Sequence, residues 1–229
     1  MSEYPPISST AIMHDTLATT RLFIFSEDEI SSMKVAPRVC LLIPTIEGRE
    51  TYLMRLIRSL RFQMKKYNGE VVALILKDNR EMTIGAKRNK LMDWALMTKA
   101  THRAFIDDDD TVTEDYIDLN IEGARQGFDC NSLKGIYSVN GVVDPKKHIF
   151  IHSLKYTHWY EDSQYYYRNP NHLNWVKIDK VKHVRFVDQN FGEDGKWSEE
   201  IARQNLLQSE YHIDKPFYNY LFRTKVNGI

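Results

Sequence analysis

An excess of charge of either sign, more than a little cysteine and any long apolar run are all missing from this sequence. Its 31 basic and 31 acidic side chains cancel to a formal net charge of zero, so a general polyanion binder is unsupported, although a neutral total leaves room for a local basic patch. The two cysteines, Cys40 and Cys130, lie far apart, in no metal-ligand spacing and beside apolar or small residues. That pattern predicts buried free thiols in a reducing compartment. No apolar run approaches the ~20 residues of a membrane span. The start, "MSEYPPISSTAIMHD", lacks the basic-then-apolar order of a signal peptide, and a cytoplasmic protein is expected. Internal repeats and low-complexity tracts are missing as well.

What is present is one core's worth of material. The 229 residues are 42% hydrophobic, enough for a single large domain. Residues 1–36 are expected to form an N-terminal arm, because "RLFIFSEDEISSM" offers one short strand-like run before polar residues and Pro37. Residues 37–229 form the domain. Within it "VCLLIPT", "EVVALILKDN" and "HRAFID" read as buried strands, separated by the helical patterns "TYLMRLIRSLRFQMKKY" and "IGAKRNKLMDWALMTKA". In the second helix Leu91, Trp94, Ala95 and Met97 are expected to face the core.

Strand and helix alternate here, which predicts an α/β fold with an open, mostly parallel sheet flanked by helices. Ligands then belong at the strand C-termini, where Thr45, Asp78 and the run beginning at Asp107 all fall. Later the rhythm changes: "GIYSVNGVV" and "HIFIHSLKY" predict strands of a smaller mixed region. "KWSEEIARQNLLQSEY" predicts a last helix, and "PFYNYLFRT" a strand or ordered arm.

Three polar stretches carry chemistry. The four aspartates of "FIDDDD", Asp107 to Asp110, repel one another, and a hard divalent cation, which takes oxygen ligands and completes its shell with water and phosphate, would compensate them. A solvated acidic loop or the first turn of a helix is the alternative. In "FGEDGKWSEEI", Glu193 and Asp194 suit either helix capping or a general base aimed into a cleft. In "IGAKRN", Lys87 and Arg88 after Gly85 suit either phosphate binding or an ordinary basic helix start.

Taken in order, "LLIPTIEGRETYLMRLIRSL", "LKDNR", "IGAKRNKLMDWA", "FIDDDD" and "FGEDGKWSEEI" resemble the family-two nucleotide-sugar glycosyltransferases of GT-A (Rossmann-like) fold, over roughly residues 39–202. The resemblance implies a nucleotide-sugar half at about residues 37–125 and an acceptor and catalytic-base half at about 126–229. It implies that Thr45 and Glu47 flank the nucleotide pocket, that Asp78 meets the base, and that Arg88 lies near the diphosphate. Asp107 and Asp109 match the Asp-x-Asp pair that binds Mn²⁺ or Mg²⁺, with Asp107 also facing ribose and Asp108 on the same substrate-facing turn.

Asp194 matches the general base and Glu193 its neighbour. His172 and Asn174 of "RNPNHLNWVK" are placed on the sugar or acceptor side, with Trp197 counted among the substrate contacts. His212 is a candidate late metal ligand, as some GT-A enzymes have. A histidine after Pro-Asn also suits a plain turn, and His212 a packed surface position.

The implied reaction is inverting transfer from a nucleoside diphosphate sugar, a UDP-sugar by preference, to an acceptor hydroxyl. A glycan, a lipid-linked sugar, a protein side chain or a modified nucleobase would each present one. The alternatives are a metal-dependent nucleotidyltransferase and a non-catalytic nucleotide-sugar-binding module. "KDNR" departs from the paired aspartates common at the second strand end. No Gln-x-x-Arg-Trp motif of the processive synthases is present, which implies single addition. The aromatics Trp159, Tyr160, Tyr165, Tyr166, Tyr167 and Trp175 suit either sugar stacking or a core.

Overall fold

The computed structural model describes residues 22–224, so the expectation that the start is not a signal peptide, and the arm as far as residue 21, lie outside the described residues. The rest of that arm packs onto the main sheet. Phe23–Ile24 (β1) pairs in parallel with Ala73 and Leu74, because two adjacent apolar residues are better buried at a sheet edge than left in water. The short helix Glu27–Ser31 (α1) follows, and the Glu27 carboxylate accepts from Trp94 Nε1 at 2.8 Å.

The alternating region forms as expected: β2 (Val39–Ile46), α2 (Glu50–Met64), β3 (Val71–Asp78), α3 (Ile84–Met97) and β4 (His102–Phe105). Strand β2 is central, pairing in parallel with β3 on one side and β4 on the other. Its continuous apolar run is explained by burial on both faces. Leu41 and Ile43 face one core with α2, while Cys40 and Leu42 face a second core with α3.

Helix α2 buries Leu53, Leu56, Ile57 and Leu60 and leaves Arg55 and Arg58 outside. In α3, Leu91, Trp94 and Ala95 are buried as read, but Met97 is 45% exposed. It stands two residues past Ala95, about 200° further round the helix.

The remaining elements are β5 (Thr111–Val112), α4 (Tyr116–Gln126), β6 (Cys130–Asn131), β7 (Leu133–Val139), β8 (Ile149–His152), β9 (Tyr160–Glu161), β10 (Tyr165–Arg168), β11 (Val176–Lys177), α5 (Ile178–Val181), α6 (Glu193–Arg203), β12 (Glu210–Tyr211) and β13 (Tyr218–Phe222). Among the described residues they complete two sheets. One runs β1-β3-β2-β4-β11-β6-β12, and the other β5-β13-β7-β8-β10-β9. The second mixes parallel pairs (β13 with β7, β8 with β10) with antiparallel ones.

Helix α6 stops well before Tyr211. Asn205 turns left-handed at φ 52°, and Glu210–Tyr211 is drawn off as a strand beside β6. Both cysteines are buried and free. No described helix is long and apolar enough to cross a membrane.

Candidate active site

The chain leaves β3 and returns to the opposite side of β2 as β4, so the crevice at the C-terminal ends of β2 and β4 is where an open α/β sheet binds its ligand. The four aspartates occupy the turn directly after β4, and their environments differ. Asp108 is buried, accepting from Thr45 Oγ1 at 2.6 Å and lying 2.6 Å from Arg49 Nη2. Burial pushes its carboxyl up to about 6, with Asp109 and Asp107 adding to the effect against the Thr45 bond and Arg49.

Asp110 is buried too. It accepts from Tyr218 Oη at 2.7 Å and from the Leu221 N–H at 2.8 Å, which ties the turn to β13. Desolvation raises its carboxyl well above the usual range, and Asp107 adds to this.

Asp107 and Asp109 keep 26% and 23% of their side-chain surface exposed. Asp109 Oδ2 lies 2.6 Å from Arg49 Nη2, and Asp107 accepts from Arg88 Nη2 at 3.0 Å. Desolvation opposes ionisation of Asp107, but Arg88 and His172 outweigh it and hold the carboxyl well below the usual carboxylate range.

Arg88 links this turn to the far wall. Thr83 caps α3, its hydroxyl accepting from the Ala86 N–H at 3.1 Å and donating to Asp188 at 2.5 Å. The Ile84 N–H donates to Asn190 Oδ1 at 3.0 Å, the Gly85 N–H to Gln189 O at 3.1 Å, and Asn89 exchanges two side-chain bonds with the Phe186 backbone. The loop over residues 186–191 is therefore laced to the first turns of α3. The lacing requires a glycine at 85, since a Cβ there would lie 1.9 Å from Val187 O.

Helix α6 starts directly after that loop, at Gly192 with φ 74° and without a side-chain cap. Asp194 is therefore no capping residue. The buried Glu193 pairs with Arg88, whose guanidinium sits over Phe105 and Phe186. Asp194 is 29% exposed into the cleft, its Oδ2 3.7 Å from His172 Nδ1. On the other edge of the ring, His172 Nε2 is 3.8 Å from Asp107 Oδ2. Both ring nitrogens are buried without a hydrogen-bond partner. Asp107, His172 and Asp194 thus form a row joining the aspartate turn to the first turn of α6.

The cleft has a volume of about 690 Å³, and Thr45, Arg88, Asp107, Asp108, Asp109, His172, Glu193 and Asp194 all line it. Five other expected site residues do not. Glu47 is exposed on the turn after β2, its N–H donating to Asp78 O at 2.9 Å. The Asp78 carboxylate is taken up by Lys87 and by the Met82 N–H at 2.9 Å. Asn174 is buried, bonding His152 Nδ1 at 3.1 Å and Asn131 O at 2.9 Å, which shapes the loop carrying His172.

Trp197 belongs to the core: its indole stacks on Phe186 at 5.1 Å and donates to Val184 O at 3.0 Å. His212 is exposed just past the edge strand β12, with Asp214 as its electrostatic neighbour. Of the aromatic stretch, Trp159 and Tyr166 line the cleft. Tyr160 and Tyr167 stack on each other instead, at 4.8 Å, and Trp175 is core, donating to Tyr116 Oη at 2.8 Å.

Sequence reading misses Arg49, Arg168, Tyr137, Tyr220 and His152, all of which line the cleft. Arg49 follows the first strand closely, a signal that was there to read. The others sit on strands of the second sheet, where facing depends on register.

No protein-family model matches the chain, and no curated protein matches it. Solved structures do match. The crystal structure of S. aureus TarS 1-349 in complex with UDP-GlcNAc aligns with a TM-score of 0.52 at 14% identity, over 82% of this chain and 59% of that one. The same TarS segment in complex with UDP aligns with a TM-score of 0.52 at 15% identity, over 80% and 60%. The fold is that of a GT-A glycosyltransferase. At this identity the likeness is one of fold, and the chain spans about three fifths of those TarS chains. The α/β, GT-A-like fold that the resemblance implies agrees with this architecture.

Proposed function

We propose that this chain is an inverting glycosyltransferase that moves a sugar from a UDP-sugar to an acceptor hydroxyl, with Asp194 as general base. The observation that carries this reading is the row Asp107, His172 and Asp194, with the Asp194 carboxylate open to the cleft and uncommitted to helix capping. That TarS, with the same fold, is found in complex with UDP-GlcNAc and with UDP supports the choice of donor.

An acceptor hydroxyl against Asp194 would give its proton to the carboxylate as its oxygen bonds to the anomeric carbon. The bond to the diphosphate breaks on the opposite face, and a single displacement inverts the configuration. Arg88, anchored on Asp107 and Glu193, sets the separation of the donor turn and the base. His172 packs between the two acids, 3.8 Å from Asp107 and 3.7 Å from Asp194.

Asp107 and Asp109 fit Mn²⁺ or Mg²⁺, because a hard cation of this kind draws one or two protein carboxylates and fills its other positions with water and phosphate oxygens. The positive side chains beside them are already neutralised: Arg49 lies against Asp108 and Asp109, and Arg88 against Asp107 and Glu193. An incoming diphosphate therefore brings charge that these arginines do not offset. No group of three or more His, Cys, Asp or Glu side chains among the described residues would enclose an ion, so substrate oxygens would complete the shell. Exposed and outside the cleft, His212 is not proposed as a ligand. When bound, the cation would offset charge gathering on the departing nucleotide.

Replacing Asp194 with Asn is expected to cut transfer about 10²- to 10⁴-fold while nucleotide-sugar binding persists. Products are read by chromatography: UDP release supports the proposal. Unchanged transfer by Asp194→Asn would sink the assigned base. Pyrophosphate release would point to nucleotidyl transfer, and binding without turnover to a non-catalytic module.

A further inference from the structure

On the side of the cleft built by the second sheet stands Arg168, the last residue of β10. Its guanidinium carbon lies 4.0 Å over the Trp159 ring. The rings of Tyr137, Tyr166 and Tyr220 stand together on the same wall, Tyr137 being 5.6 Å from Tyr166 and 5.7 Å from Tyr220. Phe191, 89% exposed, and Trp159 flank the mouth.

The other cations that line the cleft are committed. Arg49 lies against Asp108 and Asp109, Lys87 against Asp78 and the Thr45 carbonyl, and Arg88 against Asp107 and Glu193. Among the described lysines and arginines that line it, Arg168 is the one without a carboxylate within 4.0 Å. It is half-buried, and burial weakens its hold on its proton, with Asp194 and Glu161 opposing that effect at longer range. A planar guanidinium pre-set on an indole and left without a counter-charge is built to receive an oxyanion in two parallel hydrogen bonds.

We propose that this side of the cleft is the acceptor subsite and that it takes an acceptor carrying an oxyanion, a phosphate or a carboxylate, which Arg168 holds while the aromatic wall stacks on a sugar or other apolar face. This rests on the transfer reading above. Aromatic rings alone would serve a neutral sugar. The guanidinium, with no carboxylate within 4.0 Å, adds a demand for negative charge, and holding that charge fixes which end of the acceptor is left to approach the base.

The test uses the full chain with UDP present and matched probes: a methyl glucoside, its phosphate monoester and the corresponding methyl glucuronide. Ligand-observed NMR reads binding, and UDP-sugar turnover is followed in parallel. The charged probes are expected to bind about tenfold to a hundredfold more tightly than the neutral one, the size of one charge-assisted interaction. Arg168→Gln should collapse that ratio at least tenfold, and Arg168→Lys should restore part of it.

Equal binding of neutral and charged probes overturns the inference, and so does a ratio that survives Arg168→Gln. If Arg168 acts through Asp194 instead, the variant shifts the pH profile of UDP release and leaves the ratio intact, which also overturns it. A chain that holds the charged probes through Arg168 yet neither binds nor turns over a UDP-sugar supports the anion site and overturns the transfer reading.

Discussion

The aspartate turn shows how much one residue's environment decides. In the sequence the four carboxylates are distinguishable only by position, and the resemblance singles out Asp107 and Asp109. The structure separates them by partner: Asp108 and Asp110 are buried and hold Thr45, Arg49, Tyr218 and β13 together, while the other two keep open surface. The resemblance draws the same division, with Asp108 and Asp110 expected to support the turn; what is invisible in sequence is the partners that produce it, Thr45 and Arg49 well upstream and Tyr218 and Leu221 about a hundred positions downstream.

His152 makes a comparable point about pH. It is buried on β8, and burial pushes its ring down to about 3, although a hydrogen bond to Asn174 works the other way. An unfolded ring takes up its proton near about 6.5. Between these values the unfolded chain binds more protons than the folded one, so stability falls as pH drops from about 6.5 towards 3. At the bottom of that window the loss from this one group is on the order of 4 kcal/mol. Urea unfolding of His152→Gln should show a shallower pH slope than the native chain, by up to about 1.4 kcal/mol per pH unit. Identical slopes would show that His152 is not the group responsible.

Elements were legible where a buried face imposed a period. Strands β2, β3 and β4 and helices α2 and α3 fall where their apolar runs place them, since burial of one stripe or of both faces leaves a clear pattern. Short strands such as β6, β11 and β12 have two residues each, too few to show a period, and β12 cuts short a helix whose sequence would have allowed it to continue. The contact between α3 and the loop after residue 186 was equally hidden, because a glycine's neighbours are set by tertiary packing. Gly85→Ala would force α3 away from Val187 O, a backbone atom that cannot rotate aside. We expect a loss of about 1–3 kcal/mol, lowering Tm by roughly 2–4 °C per kcal/mol in a chain of this size, as calorimetry would show. An unchanged Tm would mean the loop gives way freely.

At the scale of the molecule, contacts in the cleft cross the line between the expected halves, 37–125 and 126–229. Arg88 and His172 each touch acids from both halves, so a donor bound on one side should stiffen the other. A thermal-shift series follows. With UDP and Mn²⁺ together at about a hundred times Kd, the folded state gains about 2.7 kcal/mol, a rise of roughly 5–10 °C. UDP alone should give less, and no rise with either metal would remove the support for a nucleotide site.

The main sheet crosses the same boundary: β4 pairs on its far side with β11, which is followed outward by β6 and β12. A ribosome that has just delivered β4 has therefore made a sheet with one open edge. Strands β2, β3 and β4 can assemble early, but the edge of β4 waits until Val176 and Lys177 emerge, and only then is it covered. The stretch synthesised in between contains the aspartate turn and His172, but Asp194 and Tyr220 follow β11 in the chain, so the cleft takes shape only after that edge is covered.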